Sequence, residues 1–285
     1  MRWTCSEALL DIFYTKRKRA REGPCNICGH GGRLSWDHVP PKGGIELQAV
    51  EIRQLQEDCF PALAARRPEI SQNGPAFRTI CAGCNSRLGS GYDPALNELA
   101  KTVGRFLRSP LELPPILWIE TRPTAVVRAV LGHLLAARLS AEDEFFDKIA
   151  RALVLDPEKE VPDAISVHYW LFPYAQQLVL RNGVMPAARG RFTSFQQFGL
   201  LKYFPVAFLA TTAPTYEGLD SLTFWRSKPA SFTTKIRVDL RSARAPDWPE
   251  APGEGNFLFG GRDLMESVRA QPRPSKLSRK PRRSQ

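Results

Sequence analysis

Two pairs of cysteines limit what this chain can fold into more than any other feature of its sequence. Cys25 and Cys28 form one C-x-x-C pair, and Cys81 and Cys84 form a second. Two thiolates on a tight turn can bind one metal ion from the same side, and Gly29 allows the backbone to turn closely there. Four thiolates are the ligand set of a closed, tetrahedral Zn²⁺ site. The spacing therefore predicts a structural Zn²⁺ site that closes the long segment between the pairs.

Disulfide bonds are the other common use of paired cysteines. The N terminus shows no apolar h-region with a cleavage site, and the apolar stretch at 198–213 is interrupted by Lys202 and Pro205. We therefore expect a cytoplasmic protein that does not enter a membrane, in which metal binding is favoured over disulfides. Two unrelated, redox-active pairs remain the alternative. Cys5 and Cys59 are expected to be small buried side chains.

Positive charge is concentrated in two segments of the chain. The net charge is +11 at pH 7, and basic residues cluster at 16–21 and at 272–285. Clusters of this kind favour a polyanionic partner, here DNA or RNA. A solvated charged surface with a frayed terminus is the alternative interpretation.

The hydrophobic pattern predicts an α+β fold. Helical spacing of apolar residues predicts helices at 6–19, 93–106, 125–139 and 140–153. Runs of β-branched and aromatic residues between turn residues predict strands at 167–172, 177–180, 203–210, 222–225 and 236–240. Proline-rich breaks near residues 109–115 indicate a hinge. We expect an N-terminal domain at 1–108, a separate α+β domain at 109–265 and a disordered basic tail at 266–285.

A specific family resemblance lies between and beside the cysteine pairs. Residues 37–42 read D-H-V-P-P-K, and the second pair runs directly into C-A-G-C-N-S at 81–86. This combination resembles the zinc-stapled HNH endonucleases of ββα-metal fold that carry a D-H-x-P-P-K element. The resemblance covers 24–103, roughly a quarter of the chain. It implies an N-terminal ββα-metal HNH domain that hydrolyses phosphodiester bonds in nucleic acid, with DNA as the favoured substrate.

The resemblance also implies roles for the catalytic residues. His38 would be the general base that takes a proton from the attacking water, which suits an imidazole near neutral pH. Asp37 and Asn85 would be ligands of a catalytic Mg²⁺ or Mn²⁺, because these cations prefer oxygen ligands. The cation would act as a Lewis acid on the scissile phosphate. Asn85 stands where many relatives have histidine, which places a weaker ligand on the metal.

The resemblance also suggests roles for four further positions in this region. Asn73 is the candidate for the asparagine that orients the general base, although Gly74-Pro75 follows it. Lys42 and Arg87 are expected to bind substrate phosphates, and Asp93 is a further carboxylate for the metal side. The segment 45–71 is longer than the family's usual turn, and a helix of its own is expected there.

The remaining histidines and the C-terminal region have plainer interpretations. His30 is expected at the surface, and His133 and His168 are expected to be structural residues of a helix and a strand. The region from about 110 onward matches no family known to us and is expected to recognise substrate, a protein partner or a signal ligand. Nucleases with an added sensing domain are typical of bacterial anti-phage and mobile-element systems, an analogy only. A zinc-stapled nucleic-acid-binding protein without catalysis is the alternative function.

Overall fold

A computed structural model gives the fold. It describes residues 18–46, 48–55, 67–140, 143, 145–188, 191–250, 259–260 and 267–273. Most of the predicted helix at 6–19, Cys5, Cys59 and most of the basic segment 272–285 lie outside the described residues, whereas 18–21 of the basic segment 16–21 are described. Within the described residues the fold is α+β, as the sequence predicted, and the structure adds that more of it is sheet than helix.

Strands and helices are interspersed along the chain. In the described residues the strands are β1 (Glu22–Pro24), β2 (Gly31–His38), β3 (Val50–Gln54), β4 (Glu69–Ser71), β5 (Ala76–Cys81), β6 (Ile116–Thr121), β7 (Ser166–Leu171), β8 (Gln177–Ala188), β9 (Arg191–Tyr203), β10 (Val206–Thr211), β11 (Asp220–Ser221), β12 (Thr234–Asp239), β13 (Phe259–Gly260) and β14 (Val268–Pro272). The helices are α1 (Ala82–Arg87), α2 (Asp93–Leu107), α3 (Pro123–Ala136) and α4 (Phe145–Leu155).

A small antiparallel sheet carries the segment with the cysteine pairs. Its strand order is β1-β2-β5, and Leu34 of β2 is opposite Cys81 of β5 while His38 is opposite Ala76. Helix α1 follows β5 without a loop, and a π-helical turn leads from it into α2. An antiparallel strand pair followed at once by a helix is therefore present in the described residues.

The large sheet has the strand order β11-β7-β10-β9-β8-β14-β3-β4, with β13 paired to β8, and a separate pair joins β6 to β12. Strands β3 and β4 come from the segment between the cysteine pairs, and β14 links them to the C-terminal strands. In its described parts the segment 45–71 thus forms strands rather than the expected helix. Val50 and Ile52 are buried on alternate positions, which is the period of a strand.

Two further predictions differ from the structure. Residues 222–225 form a 3-10 turn rather than a strand, because Ser221 Oγ accepts a hydrogen bond from the Thr223 N–H at its start. The predicted disordered tail begins too early at 266, since β14 pairs with both β3 and β8. Its Val268 and Ala270 side chains are buried.

Helices α2 and α3 confirm two predicted helices, and they differ in how much of their surface is buried. Helix α2 buries Leu96, Leu99 and Val103 along one side. In α3 every residue is buried, so this helix is central rather than amphipathic as expected. Apolar residues from before and after residue 108 share one core. The division into separate domains stays a prediction, but described residues on both sides of it pack together.

One further finding concerns membranes. Among the helices of the described residues, none combines the length and the apolar character needed to cross a bilayer.

Candidate functional site

The four cysteines of the two C-x-x-C pairs converge at one point. Cys25 and Cys28 lie on the turn between β1 and β2, Cys81 ends β5, and Cys84 lies in α1. Their Sγ atoms all lie within 4.8 Å of one another, and none of the four is in a disulfide. The Sγ atoms of Cys28 and Cys81 are 3.9 Å apart. Zn–S bonds of about 2.3 Å place tetrahedral ligands about 3.8 Å apart, so the cluster fits a Zn²⁺ ion.

Backbone N–H groups point at the sulfur atoms of this cluster. The N–H groups of Ile27 and Cys81 donate to Cys25 Sγ at 3.4 and 3.3 Å, and the Cys84 N–H donates to Cys81 Sγ at 3.5 Å. Burial opposes ionisation of Cys25, but these N–H groups and that of Cys28 outweigh it and lower its pKa. Burial and the charge of Cys25 raise the pKa of Cys84. A bound cation would hold all of them as thiolates.

Asn26 lies between Cys25 and Cys28 and attaches the turn that carries them to the buried helix α3. The side chain is fully buried, and its Nδ2 donates to the carbonyls of Leu135 and Arg138 at 2.8 and 2.7 Å. Gly29 closes the same turn at φ +75°, a conformation that favours glycine. Asn26 is not among the residues predicted from the sequence, because the two carbonyls that its Nδ2 binds are 109 and 112 residues away in the chain.

The Asp37-His38 dipeptide stands at the end of β2. His38 is half-buried, whereas Asp37 is only 5% exposed. Asn85 of α1 donates from Nδ2 to the Trp36 carbonyl at 2.9 Å and to Ser35 Oγ at 3.3 Å. The hydrogen bonds bring the helix that carries Asn85 back to the strand that carries Asp37 and His38. The predicted roles of these three residues stay predictions.

Three other predicted residues lie in the turn before β5, in the turn after β2 and at the end of α1. Asn73 lies in the turn before β5, whose residue Ala76 is opposite His38. Lys42 is exposed in the turn that follows the dipeptide. Arg87 is exposed at the end of α1, and its Nη1 donates to the Leu155 carbonyl at 3.1 Å.

His133 connects two of the carboxylates near this strand end. Its Nδ1 lies 2.9 Å from Oδ2 of Asp37, and its Nε2 lies 2.9 Å from Oδ1 of Asp93. The histidine was expected to be a packed helix residue, and it is fully buried. Burial alone would lower the pKa of His133, but the charges of Asp93 and Asp37 outweigh it and raise the pKa to about 10. No local pattern in the chain indicates this contact, because the partners are 96 and 40 residues away.

The raised pKa of His133 predicts how its contribution to stability changes with pH. A histidine has a pKa of about 6.5 when unfolded, so its contribution is fully present below pH 6.5. It is lost as the pH rises through about 10, the folded value. We expect the difference in unfolding free energy between wild type and His133→Gln to shrink steadily between about pH 6.5 and about pH 10. Denaturant unfolding without added divalent cation measures this, and a constant difference would contradict it.

The two remaining histidines agree with their predicted structural roles. His30 is exposed, and its carbonyl accepts a hydrogen bond from the Cys25 N–H at 3.0 Å. His168 is buried in β7, where burial lowers its pKa.

Comparison of the chain with protein-family models, with curated proteins and with solved structures gives no match.

Proposed function

We propose that this chain is a metal-dependent HNH-type endonuclease that hydrolyses phosphodiester bonds in DNA, with His38 as its general base. The observation that carries the proposal is the arrangement around one strand end. The cysteine cluster closes an antiparallel strand pair, the Asp37-His38 dipeptide ends one strand, and Asn85 on the following helix bonds back to that strand. A purely structural zinc module has no need of the dipeptide.

The residues of the site fit an oxygen-bound divalent cation. Oδ2 of Asp37 accepts from His133, and its Oδ1 has no hydrogen-bond donor among the residues that the structure describes. Asn85 uses Nδ2 for its bond to the strand, which leaves Oδ1 as a ligand atom. A carboxylate oxygen and an amide oxygen are ligands of Mg²⁺ and Mn²⁺. Such a cation would neutralise negative charge on the scissile phosphate and on the leaving 3′ oxygen.

His38 and the basic side chains have separate tasks in this reaction. The imidazole of His38 accepts a proton from the water whose oxygen bonds to phosphorus, while the bond from phosphorus to the 3′ oxygen breaks. Lys42 and Arg87, both exposed, hold neighbouring phosphates. Asn73 lies at the same end of the strand pair as His38 and is the candidate to orient its ring.

A groove with basic residues along one side lies next to Gly43, the residue after Lys42. We call it the α2 groove and propose it as the path of the substrate. It includes a cavity of about 260 Å³ lined in part by Gly43, Gly44, Lys101, Arg105, Arg108 and Phe204. Lys101 and Arg105 of α2 and Arg108, the C-cap residue after it, are exposed at the spacing i, i+4 and i+7, so they share one face over about 10 Å. Arg108 lies over the Phe204 ring at 4.8 Å. Its ion pair with Glu46 is exposed and contributes little.

Neutralising the α2 groove should weaken DNA binding and its dependence on salt. The slope of the logarithm of the DNA-binding constant against the logarithm of the salt concentration measures the number of neutralised phosphates. In the triple variant Lys101→Gln, Arg105→Gln, Arg108→Gln we expect this slope to become less negative by about 0.9 for each phosphate that the protein no longer neutralises. Fluorescence anisotropy with a labelled duplex at several salt concentrations, without divalent cation, measures the slope.

A matched variant separates this effect from net charge. Lys148, Lys159 and Lys235 are exposed elsewhere on the protein, and their replacement by glutamine removes the same charge. That control should keep nearly the wild-type slope. Equal slopes in the two triple variants would show that the α2 groove is not the path of the substrate.

Cleavage itself is tested with supercoiled plasmid and Mg²⁺. We expect nicked and then linear product from the zinc-loaded protein. A protein that binds the plasmid and leaves it intact in Mg²⁺ and in Mn²⁺ would instead be the non-catalytic zinc-stapled binding protein. We further propose that the C-terminal region recognises substrate, a protein partner or a signal ligand, and that the protein acts in the cytoplasm, by analogy in an anti-phage or mobile-element system.

A further inference from the structure

Helix α3 contacts the proposed catalytic strand from outside the segment that resembles the nucleases. His133 lies between Asp37 and Asp93 with both ring nitrogens at 2.9 Å from a carboxylate oxygen. The ring is fully buried, so it cannot touch water or substrate. Any effect of His133 on the chemistry must therefore pass through one of the two carboxylates.

We propose that His133 is a positioning residue of the nuclease site, which fixes the Asp37 carboxylate through Oδ2 and leaves its other oxygen for the catalytic cation. The inference rests on the function proposed above, because it assigns a partner to the predicted metal ligand.

Stability alone gives no reason for three ionisable groups at this place. Every residue of α3 is buried, and the neighbours of His133 in the helix are Gly132 and Leu134. Replacing buried ion pairs by apolar residues of similar volume is often neutral or stabilising. A histidine with a carboxylate on each side is therefore a poor choice for a helix that only fills the core. Control of the Asp37 carboxylate accounts for it.

The bonds also fix the orientation of the carboxylate. Asp93 begins α2 and holds the ring of His133 through Nε2, so the ring cannot rotate without breaking a hydrogen bond. The ring in turn holds Oδ2 of Asp37 at the end of β2. Partners of this kind orient the ligands of metal sites, and their removal costs about 10- to 100-fold in metal affinity or activity.

Two amide variants test the contact with Asp37 separately from the contact with Asp93. An asparagine amide at position 133 places a donor near the position of Nδ1, which faces Asp37, whereas glutamine places it near Nε2. We expect His133→Gln to weaken Mn²⁺ binding about 10- to 100-fold and to slow plasmid cleavage similarly. His133→Asn should stay closer to wild type in both. Mn²⁺ titration of the zinc-loaded full chain, followed by electron paramagnetic resonance, measures the affinity.

A control variant shows what weaker packing alone does. The Thr79 hydroxyl donates to the Ala136 carbonyl and so joins β5 to α3 without a hydrogen bond to Asp37. Thr79→Val should lower the melting temperature and leave Mn²⁺ affinity unchanged. The inference is overturned if His133→Gln binds Mn²⁺ like wild type. It is also overturned if Thr79→Val loses as much Mn²⁺ affinity as His133→Gln for a similar loss of melting temperature, because weaker packing would then explain both results.

A second variant covers the case in which His133→Gln does not fold. Asp93→Asn replaces the carboxylate that holds Nε2 of His133 by a neutral, weaker acceptor. The ring then orients Asp37 less firmly, so we expect a several-fold decrease in Mn²⁺ affinity with zinc retained. Unchanged affinity in Asp93→Asn would overturn the inference. A wild-type protein that neither binds Mn²⁺ nor cuts DNA would refute the proposed function itself, and that result differs from unchanged affinity in a variant of an active enzyme.

Discussion

Replacing His38 by alanine should reduce the rate of plasmid cleavage in Mg²⁺ by roughly 100- to 10,000-fold, the usual contribution of a general base. The imidazole is half-buried at the end of β2, so its removal takes away the proton acceptor without opening the core. We expect binding to the plasmid, zinc content and melting temperature to change little. Gel analysis of nicked and linear plasmid over time gives the rate, and a shift assay gives the binding.

His30→Ala is the matched control for this experiment. His30 is exposed beside the first cysteine pair, and its hydrogen bond to the Cys25 N–H uses the backbone carbonyl, which the substitution keeps. This variant should cut at the wild-type rate. If His38→Ala cuts as fast as His30→Ala, His38 is not the general base and another residue or a contaminating nuclease is responsible.

Replacing Cys81 by serine should release the zinc and unfold the N-terminal segment. Structural Zn²⁺ sites contribute about 10 to 16 kcal/mol in zinc-finger peptides, which equals or exceeds the whole stability of a typical domain, about 5 to 15 kcal/mol. The cluster also fixes the start of α1, because Cys81 Sγ accepts from the Cys84 N–H. Metal analysis of the purified protein and a thermal melt measure the two effects.

Cys59→Ser is the matched control, since Cys59 belongs to neither C-x-x-C pair. It should keep one zinc ion per chain, which Cys81→Ser should lose. Retention of zinc and of normal stability in Cys81→Ser would refute a four-cysteine site.

The chain's short-range features could be predicted because their physical causes lie close together in the sequence. The C-x-x-C spacing fixes two thiolates on one turn, and the structure brings both pairs together. Apolar residues at helical spacing fix α2, and Pro94 near its start suits the first turn of a helix. In each case, a few neighbouring residues decide the local backbone.

Only the tertiary structure decided which distant residues meet. The pairing of β14 with β3 and the burial of α3 on all sides depend on contacts between segments far apart in the chain. The same holds for His133, which meets Asp37 across 96 residues. A lone histidine among apolar helix residues carries no local sign of a carboxylate partner. The cysteine cluster was therefore determined by cysteine spacing, whereas the residue that holds the proposed catalytic carboxylate was determined by how the helices and strands pack.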